Sequence, residues 1–353
     1  MVVNVCGFGW SGSGAYIDLL HEYGNVVFPS DNDWEFNFLW APDSLYDLEF
    51  KLCTKHCRIY DSDLAIKRFL EIAQKYGDKR GYFKYDKIFQ TSFYDLCKNY
   101  VDQLVQFQLK GDTFVHKLNS TLSDKLLVKY NTIWGYLLLN RLCRSKTSEK
   151  IYYKLRYDNY KVMRISYNPS NFVEITKQFV DSLFTFLRKN QKGILVLNQS
   201  LPPDVPFLFE HYFSEPQKTI IIRRDPRDNF IIINELKGKT RPVPTNVDDF
   251  IVFYKKIIGE TKFPDTNNIM SLNFEDLVYN YEKTIERIES FIGLGDHLYK
   301  KKYFNPMISK NNTQLFKLLP KYSDDINKIE KELKPYLYNF EDYDYKRSSN
   351  CFF

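Results

Sequence analysis

A glycine-rich turn near the start of this 353-residue chain constrains its fold more than any other segment. Residues 4 to 20 read NVCGFGWSGSGAYIDLL, after an apolar run that begins at Val2. The apolar residues before the turn predict a buried strand, and the spacing of Ala15, Ile17 and Leu20 after it predicts a helix. A strand, a tight turn and a helix in this order direct backbone N–H groups toward one place. This arrangement is typical of an anion-binding loop.

Two known phosphate motifs can be compared with this turn. Gly7, Gly9 and Gly12 spell GxGxxG, and Asp31 or Asp33 follows the next apolar run at about the spacing of a ribose-binding acid. This pattern leaves open an NAD-dependent nucleotide-sugar epimerase or dehydrogenase. However, neither YEKTIERI nor YDSDLAIK supplies the Tyr-x-x-x-Lys pair expected at a hydride-transfer site.

The nucleoside-triphosphate motif fits less well, because Ser13 and Gly14 stand where it has Lys and Ser or Thr. ATP hydrolysis is therefore not predicted. A third interpretation is a loop that binds the 5′ side of an adenylated sulfate donor. The choice between these interpretations depends on the rest of the chain.

The charge balance is mild, with 50 basic and 44 acidic residues and a net charge of +6. It suits a phosphorylated cofactor better than a nucleic-acid groove, so no nucleic-acid partner is predicted. Basic residues cluster only around Arg223 and at residues 300–302, and the second cluster leaves peripheral contact with a membrane-linked substrate open.

The six cysteines are scattered, and no export signal precedes them. We therefore expect reduced thiols in a cytoplasmic protein, with no metal site. The longest apolar stretch, residues 133–139, is too short to cross a bilayer, so no transmembrane segment is expected.

The second half of the chain alternates helical and apolar patterns. They predict a helix at 171–190, strands in GILVLNQ and KTIIIRRD, a helix at 247–258, a strand in NNIMSLNF and a helix at 280–292. Continuous apolar strands between helices are typical of a parallel sheet covered on both faces. We expect one α/β domain at 1–345 with a mainly helical insertion, including a hairpin, at about 80–168. A loose tail follows at 346–353.

A second anion site is indicated at the end of the strand in TIIIRRDPRDNF. Arg223, Arg224 and Arg227 follow this strand, and Pro226 suits the first turn of a helix. Guanidinium groups at the carboxyl end of a parallel strand suit a phosphate dianion. The alternative is a network of Arg–Asp salt bridges at the start of the helix.

Four segments together resemble the landmark segments of sulfotransferases that use 3′-phosphoadenosine 5′-phosphosulfate (PAPS). They are GFGWSGSGAYIDLL, IIIRRDPRDNF, LNFEDLVYNYEKTIERIESFIGL and FNPMISKNNTQLF, in that order over residues 2–316. The bacterial polysaccharide and glycolipid branch is the most similar, and EFNFLWAPDSLYDLE also resembles it. The resemblance implies a P-loop-like three-layer fold with a central parallel sheet flanked by helices. It also implies sulfuryl transfer from PAPS, released as adenosine 3′,5′-bisphosphate, to a hydroxyl of a glycan, glycolipid or capsule precursor.

The resemblance assigns the cofactor site residue by residue. Arg224 is assigned to the 3′-phosphate, and Arg227 fills the rest of that motif. The 5′-phosphosulfate loop and the late cofactor loop fall on Gly9, Trp10, Ser11, Gly12, Ser13 and Gly14, and on Ser309, Lys310, Asn311 and Asn312.

The acceptor side is expected at the acidic loop and at the end of another strand. A hydroxyl acceptor loses a proton, so a general base should lie within hydrogen-bond reach. Glu35 is the first candidate, because relatives with a carboxylate base carry it there, and Asp33 is the second. His116 and His211 are further candidates, and Asn198 and Gln199 are expected to bind substrate.

Two positions depart from the family pattern. Trp10 stands where a Lys or Arg is usual, and Ile232 stands where a Ser usually follows the 3′-phosphate arginine. These departures keep a third hypothesis open, a degenerate sulfotransferase fold that serves as a non-catalytic binding protein.

Overall fold

The computed structural model describes residues 1–30, 34–54, 58, 61–110, 122, 126, 129–130, 133, 162–235, 243–259, 265–341 and 343. The chain divides into two compact units. The first comprises Met1–Ala41, Phe83–Gln90 and Lys177–Phe353, and the second comprises Pro42–Tyr82 and Thr91–Thr176. The second unit thus begins earlier in sequence than the insertion expected at 80–168. One domain at 1–345 with an insertion and a tail stays a prediction.

In the second half of the chain, strands and helices follow the predicted order. The strands are β1 (Val2–Gly7), β2 (Val26–Val27), β3 (Phe107–Lys110), β4 (Val162–Ile165), β5 (Ile194–Asn198), β6 (Gln217–Arg223) and β7 (Ile269–Asn273). The helices are α1 (Ser13–Leu20), α2 (Leu45–Cys53), α3 (Asp61–Gly77), α4 (Tyr85–Phe89), α5 (Phe93–Leu104), α6 (Phe172–Arg188), α7 (Pro226–Glu235), α8 (Val247–Phe253), α9 (Phe274–Tyr279), α10 (Tyr281–Ile292), α11 (Pro306–Ser309) and α12 (Ser323–Glu332). A π-helical turn, Tyr254–Gly259, continues α8.

A five-stranded sheet forms the centre of the first unit, in the order β2-β5-β1-β6-β7. Every pairing in it is parallel, with Val3 opposite Val196 and Val5 opposite Ile220. The central strand β1 is buried along its length, as its continuous apolar run predicts. The predicted fold class is therefore confirmed: an α/β, P-loop-like fold with a central parallel sheet flanked by helices.

The core of this unit lies on both faces of the sheet. Alternate side chains of β1 and β6 pack with apolar residues of α1, α9 and α10. Cys6, Ile221 and Ile269 pack together and point away from that cluster. A separate apolar cluster joins α7, α8 and α12. The sheet thus holds β1 and the turn after it in a rigid central position.

The second unit corrects one helix boundary. The spacing of Tyr94, Val101, Leu104 and Phe107 predicts a helix over these residues, but α5 ends at Leu104, and β3 pairs antiparallel with β4. The side chains of β3 are all exposed, although its sequence, FQLK, alternates apolar and polar residues. The first arm of the hairpin predicted near 152–167 lies outside the described residues.

Other sequence expectations concern membranes, metals and cysteines. Within the described parts of the chain, no helix combines the length and the apolar character needed to cross a bilayer. No group of three or more His, Cys, Asp or Glu among those residues is arranged to hold a metal ion. Cys6, Cys53 and Cys97 are free thiols.

Candidate functional site

The carboxyl ends of the parallel strands meet at one edge of the sheet. There β1 ends at Gly7, β5 at Asn198, β6 at Arg223 and β7 at Asn273. Open α/β sheets bind ligands at this edge, because the loops that follow the strands lie side by side there. All residues of the candidate site described below follow one of these strand ends or contact a residue that does.

The turn after β1 contains two residues in the left-handed conformation, and at one of them a side chain would not fit. Trp10 and Gly12 both adopt left-handed backbone angles, with φ of 63° and 91°. A Cβ atom on Gly12 would lie 2.6 Å from the Phe274 ring. The N–H of Ser11 donates to the carbonyl of Phe8 at 2.9 Å, which closes the turn. Helix α1 therefore begins directly in front of the β1 end.

The N-terminus of α1 is open. It has no side-chain cap and no acidic residue in its first turn. The N–H of Ala15 donates to the carbonyl of Gly12, whereas those of Ser13 and Gly14 have no acceptor among the described residues. A Cβ atom on Gly14 would meet nothing within 4 Å, so there is room beside it. Free N–H groups and the helix dipole together favour an anion at this point.

Ser11 adds a hydroxyl without a partner. Its side chain is buried, and its Oγ has no hydrogen-bond partner among the described residues. A buried hydroxyl left without a hydrogen bond is unfavourable, so such an atom calls for an explanation. Ser11 lines a small cavity whose other walls come from Phe8, Arg223, Arg224, Asn229, Tyr254 and Ile258. The cavity thus joins the turn after β1 to the arginines after β6.

Arg224 is the central cation of this cavity. Its Nη1 donates to the carbonyl of Trp10 at 3.5 Å, and its Nη2 donates to the carbonyl of Asn312. Its guanidinium carbon lies 4.5 Å from the centre of the Phe274 ring, a cation–π contact. Its Nε has no hydrogen-bond partner among the described residues. Burial lowers the pKa of Arg224, but a guanidinium stays protonated in proteins.

Arg224 therefore connects three of the segments predicted to form one site: the turn at 8–14, the β6 end and residues 309–312. In the last segment, Lys310 extends its Nζ to 5.7 Å from the Tyr279 ring centre. Asp228 holds this segment in place by accepting the backbone N–H groups of Gln314 and Leu315 at 2.6 and 2.7 Å.

Three buried carboxyl groups surround Arg224. Asp225, Asp228 and Glu275 are almost fully buried, and all three contribute to its electrostatic environment. Burial, with the charge of Asp225 in addition, raises the pKa of Asp228 to about 7 and that of Glu275 to about 8. Glu275 accepts the N–H of Asp225 through Oε1, while its Oε2 has no partner among the described residues. Asp228 and Glu275 therefore bind protons more tightly than ordinary carboxyls do.

Arg227 has a different environment. Its guanidinium donates to both oxygens of Asp225 at 2.9 and 2.7 Å and to Glu330 at 2.9 Å. It also lies 4.0 Å from the Phe316 ring centre. Burial lowers the pKa of Arg227, but the hydrogen bonds and charges of Asp225 and Glu330 together raise it by a larger amount. The net shift of the pKa is therefore upward. The salt-bridge alternative thus describes Arg227, and its cofactor role stays a prediction.

The two residues expected to bind substrate at the β5 end differ in their contacts. The Gln199 side chain accepts the N–H of Gly7 and donates to the carbonyl of Gly7 and to Ser13 Oγ, at 3.3 to 3.4 Å. Gln199 therefore braces the turn from its side. The Oδ1 of Asn198 is buried without a partner among the described residues, and Asn198 lines a second cavity with Trp34.

Of the candidate general bases, Glu35 and His211 lie among the described residues. Glu35 lies beside the β5 end, where its backbone forms a parallel bridge with Asn198, and its side chain is exposed. Asp33 and His116 lie outside the described residues, as does Asp31. His211 is exposed and lies against Tyr212. The role of Glu35 stays a prediction.

The two departures from the family pattern meet in one apolar cluster. Ile232 is 2% exposed and packs within the α7, α8 and α12 cluster. Trp10 and Phe8 are half-buried and pack against the same cluster. The position of the usual serine is thus part of the core, and Trp10 is held by apolar contacts.

Three further residues contribute to the site: Phe274, which the sequence indicated only as a support of the sheet within FEDL, and Asn229 and Tyr254, which it did not indicate. The Phe274 ring packs against Gly12 and makes the cation–π contact with Arg224. Asn229 donates from Nδ2 to the carbonyl of Gly9 at 3.0 Å. The Tyr254 hydroxyl donates to the carbonyl of Arg224 at 3.2 Å. Phe274 directly follows a predicted strand, so the strand-edge rule could have found it. Nothing local marks Tyr254.

Comparisons with known proteins add little to this site. No family model matches the chain, and no curated protein matches it. Among solved structures, the Sulfotransferase Domain from the Curacin Biosynthetic Pathway is similar at 15% sequence identity and a TM-score of 0.25, with 57% of this chain and 77% of that chain covered. This structural similarity to a sulfotransferase domain is weak. An assignment of function therefore has to come from the site itself.

Proposed function

We propose that this protein is a sulfotransferase that uses PAPS and acts on a hydroxyl of a glycan, glycolipid or capsule precursor. The observation that carries the proposal is the pairing of two anion-binding features in one place. The open N-terminus of α1 lies beside Arg224, which contacts the carbonyl of Trp10 in the same turn. Two such features suit a ligand with two separate anionic groups, as a 3′,5′-substituted adenosine has.

The polar atoms left without partners fit such a ligand. Ser11 Oγ and the N–H groups of Ser13 and Gly14 would donate to the 5′ group, and Arg224 would donate from Nε to the 3′-phosphate. When bound, PAPS supplies an activated sulfuryl group. Because sulfuryl transfer resembles phosphoryl transfer, the chain would contribute mainly positioning and charge neutralisation.

The acceptor would lie on the β5 side of the turn. Asn198 presents a buried Oδ1 without a partner among the described residues, and it would accept a hydrogen bond from a substrate hydroxyl. Glu35, whose backbone pairs with Asn198, would accept the proton that the reacting hydroxyl loses. Gln199 would fix the turn after β1 relative to the β5 end, since its side chain forms hydrogen bonds with both Gly7 and Ser13.

Binding of adenosine 3′,5′-bisphosphate tests the proposal, because NAD and ATP lack its 3′-phosphate. At about a hundred times its dissociation constant, the bisphosphate should stabilise the chain by roughly 2.7 kcal/mol, which raises the melting temperature by a few degrees. Adenosine 5′-monophosphate should give a much smaller shift. A larger shift with NAD than with the bisphosphate would contradict the proposal and favour the dinucleotide interpretation.

Variants separate the site from general charge effects. Arg224→Ala should remove most of the bisphosphate shift, and Arg224→Lys should restore part of it, because lysine keeps the charge but loses the fork geometry. Arg287→Ala is the matched control, since Arg287 is exposed on α10 and forms an ion pair with exposed Asp265. Sulfuryl transfer from PAPS to a sugar acceptor should then be measured directly. Bisphosphate binding without turnover on any glycan acceptor would favour the non-catalytic hypothesis.

A further inference from the structure

Residues 298–308, with the sequence LYKKKYFNPMI, form an unusual exposed stretch in the first unit. We refer to it as the 298–308 surface. It contains three consecutive lysines and no acidic residue. Five of its large apolar or aromatic side chains are also exposed: Leu298, Tyr299, Tyr303, Met307 and Ile308. Met307 and Ile308 are 67% and 66% exposed, which is high for side chains of this type.

The surface is held firmly rather than loosely. Buried Glu22 accepts the backbone N–H groups of Lys301, Tyr303 and Phe304, each at 3.0 Å. Glu22 also bonds to His297 Nε2 at 2.6 Å, just before the surface begins. These side chains are therefore exposed on an ordered backbone, because the buried carboxylate of Glu22, just after α1, holds that backbone in place.

The lysines of the surface are arranged beside aromatic rings. Lys302 Nζ lies 4.8 Å from the Tyr299 ring centre and 5.0 Å from that of Tyr303, and Lys301 Nζ lies 5.1 Å from that of Tyr281. None of the three lysines has an ion-pair partner among the described residues. Their positive charge is thus available to an external anionic surface.

We propose that the 298–308 surface docks the protein onto a lipid bilayer that carries anionic headgroups. Lysines are attracted to such a surface, tyrosines favour the headgroup level, and exposed Leu, Met and Ile side chains reach the acyl boundary. The mixture of all three in one short stretch favours a bilayer over a nucleic acid, which would leave the aliphatic side chains in water.

The surface runs directly into the candidate site. Ile308 is followed by residues 309–312, and Arg224 donates to the carbonyl of Asn312. Docking would bring this edge of the site toward the headgroups, where a lipid-linked acceptor lies. The docking proposal does not rest on sulfuryl transfer, because vesicle binding is measured without PAPS or an acceptor.

Sedimentation of the full chain with lipid vesicles tests the proposal. The chain should bind vesicles of phosphatidylcholine mixed with phosphatidylglycerol, and it should bind pure phosphatidylcholine much more weakly. Replacing Lys300, Lys301 and Lys302 together by Ser should weaken binding on the order of a hundredfold, since each lysine near an anionic surface contributes about a fivefold gain. Met307→Ser combined with Ile308→Ser should weaken the binding that persists at high salt.

A matched control removes the same charge elsewhere. Lys328, Lys331 and Lys334 are exposed on and after α12, and their joint replacement by Ser should leave vesicle binding within about twofold of the native chain. Melting temperatures of all three variants should be measured to verify folding. Equal loss of binding in the control, equal binding to both lipid mixtures, or no binding to either would overturn the proposal. The last result, together with saturable binding of an acidic peptide, would assign the surface to a protein partner.

Discussion

Arg224 and Arg227 lie three residues apart and carry the same functional group, yet their guanidinium groups differ in their contacts and in the direction of their pKa shifts. Arg227 is enclosed by the carboxylates of Asp225 and Glu330, and its pKa is raised. Within the part of the chain that the structure describes, the Arg224 guanidinium donates to backbone carbonyls and stacks on the Phe274 ring without an ion pair, and burial lowers its pKa. Arg227 is thus held in a network of salt bridges, whereas the Nε of Arg224 has no hydrogen-bond partner among the described residues. Four predictions test this difference, from the largest expected effect to the smallest.

Removing the paired arginine should have the largest effect on stability. Arg227→Ala leaves Asp225 as a buried carboxylate without its main partner, and breaking a buried pair in this way costs about 3–5 kcal/mol. Urea unfolding measures the change. Arg287→Ala, at an exposed ion pair, should cost less than about 1 kcal/mol. If Arg227→Ala loses as little unfolding free energy as Arg287→Ala, the ion pairs of Arg227 do not stabilise the fold.

The Phe274 ring supports Arg224 and also packs against Gly12, so a side chain at Gly12 should disturb both. Gly12→Ala puts a Cβ 2.6 Å from the ring at a left-handed φ of 91°. We expect a loss of about 2–4 kcal/mol in unfolding free energy, from backbone strain and overpacking together.

Gly14→Ala is the matched control for Gly12→Ala. A Cβ at Gly14 meets nothing within 4 Å, so this variant should be neutral or slightly more stable. Its bisphosphate affinity should fall less than that of Gly12→Ala. Equal destabilisation of the two variants would show that the Phe274 contact does not determine the effect.

The buried acids around Arg224 should make stability depend on pH. In the folded state, the pKa of Glu275 is about 8 and that of Asp228 is about 7, both above the values of these groups in an unfolded chain. At pH values between the unfolded-state pKa and the folded-state pKa, the folded chain therefore binds more protons than the unfolded chain. Stability should therefore be highest near pH 5 and should fall as pH rises toward 8. Unfolding free energies measured at steps across this range should decrease with each rise in pH.

Glu275→Gln tests the origin of that pH dependence. The amide oxygen can still accept the N–H of Asp225, but the side chain no longer titrates. The decrease in stability between pH 5 and 8 should become shallower in this variant. An unchanged pH profile would assign the dependence to other groups.

Ser11 should give the smallest effect on stability and a clear effect on binding. Its buried Oγ has no partner among the described residues, so Ser11→Ala should change the unfolding free energy by less than about 1 kcal/mol, in either direction. Its affinity for adenosine 3′,5′-bisphosphate should fall about 2- to 10-fold, the value of one hydrogen bond.

Ser13→Ala provides a comparison for Ser11→Ala. Ser13 Oγ already accepts a hydrogen bond from Gln199, so this variant should lose stability without the same loss of bisphosphate affinity. Calorimetric titration of both variants distinguishes the two serines. Unchanged affinity in Ser11→Ala would remove the Ser11 hydroxyl from the site.

Much of the fold follows from local patterns. Continuous apolar runs predicted the buried parallel strands. The strands at 194–198 and 269–273 lie within the predicted segments, and the strand at 217–223 begins one residue before its predicted segment. The boundary of α5 was wrong because the helical spacing of apolar residues continues through Phe107, although VQFQLK at 105–110 also alternates apolar and polar residues with the period of a strand. A segment that fits both periods is decided by its tertiary partner, which here is β4.

The sequence by itself determined the parallel sheet, the turn after β1 and the presence of arginines at the β6 end, because each depends on residues that are close together in the chain. Only the tertiary structure decided which arginine is paired. Glu330 lies 103 residues after Arg227, and Asn312 lies 88 residues after Arg224. Phe274, which joins Gly12 to Arg224, comes from yet another strand end. Identical side chains acquire different roles through contacts distant in sequence, and local patterns carry no information about such contacts.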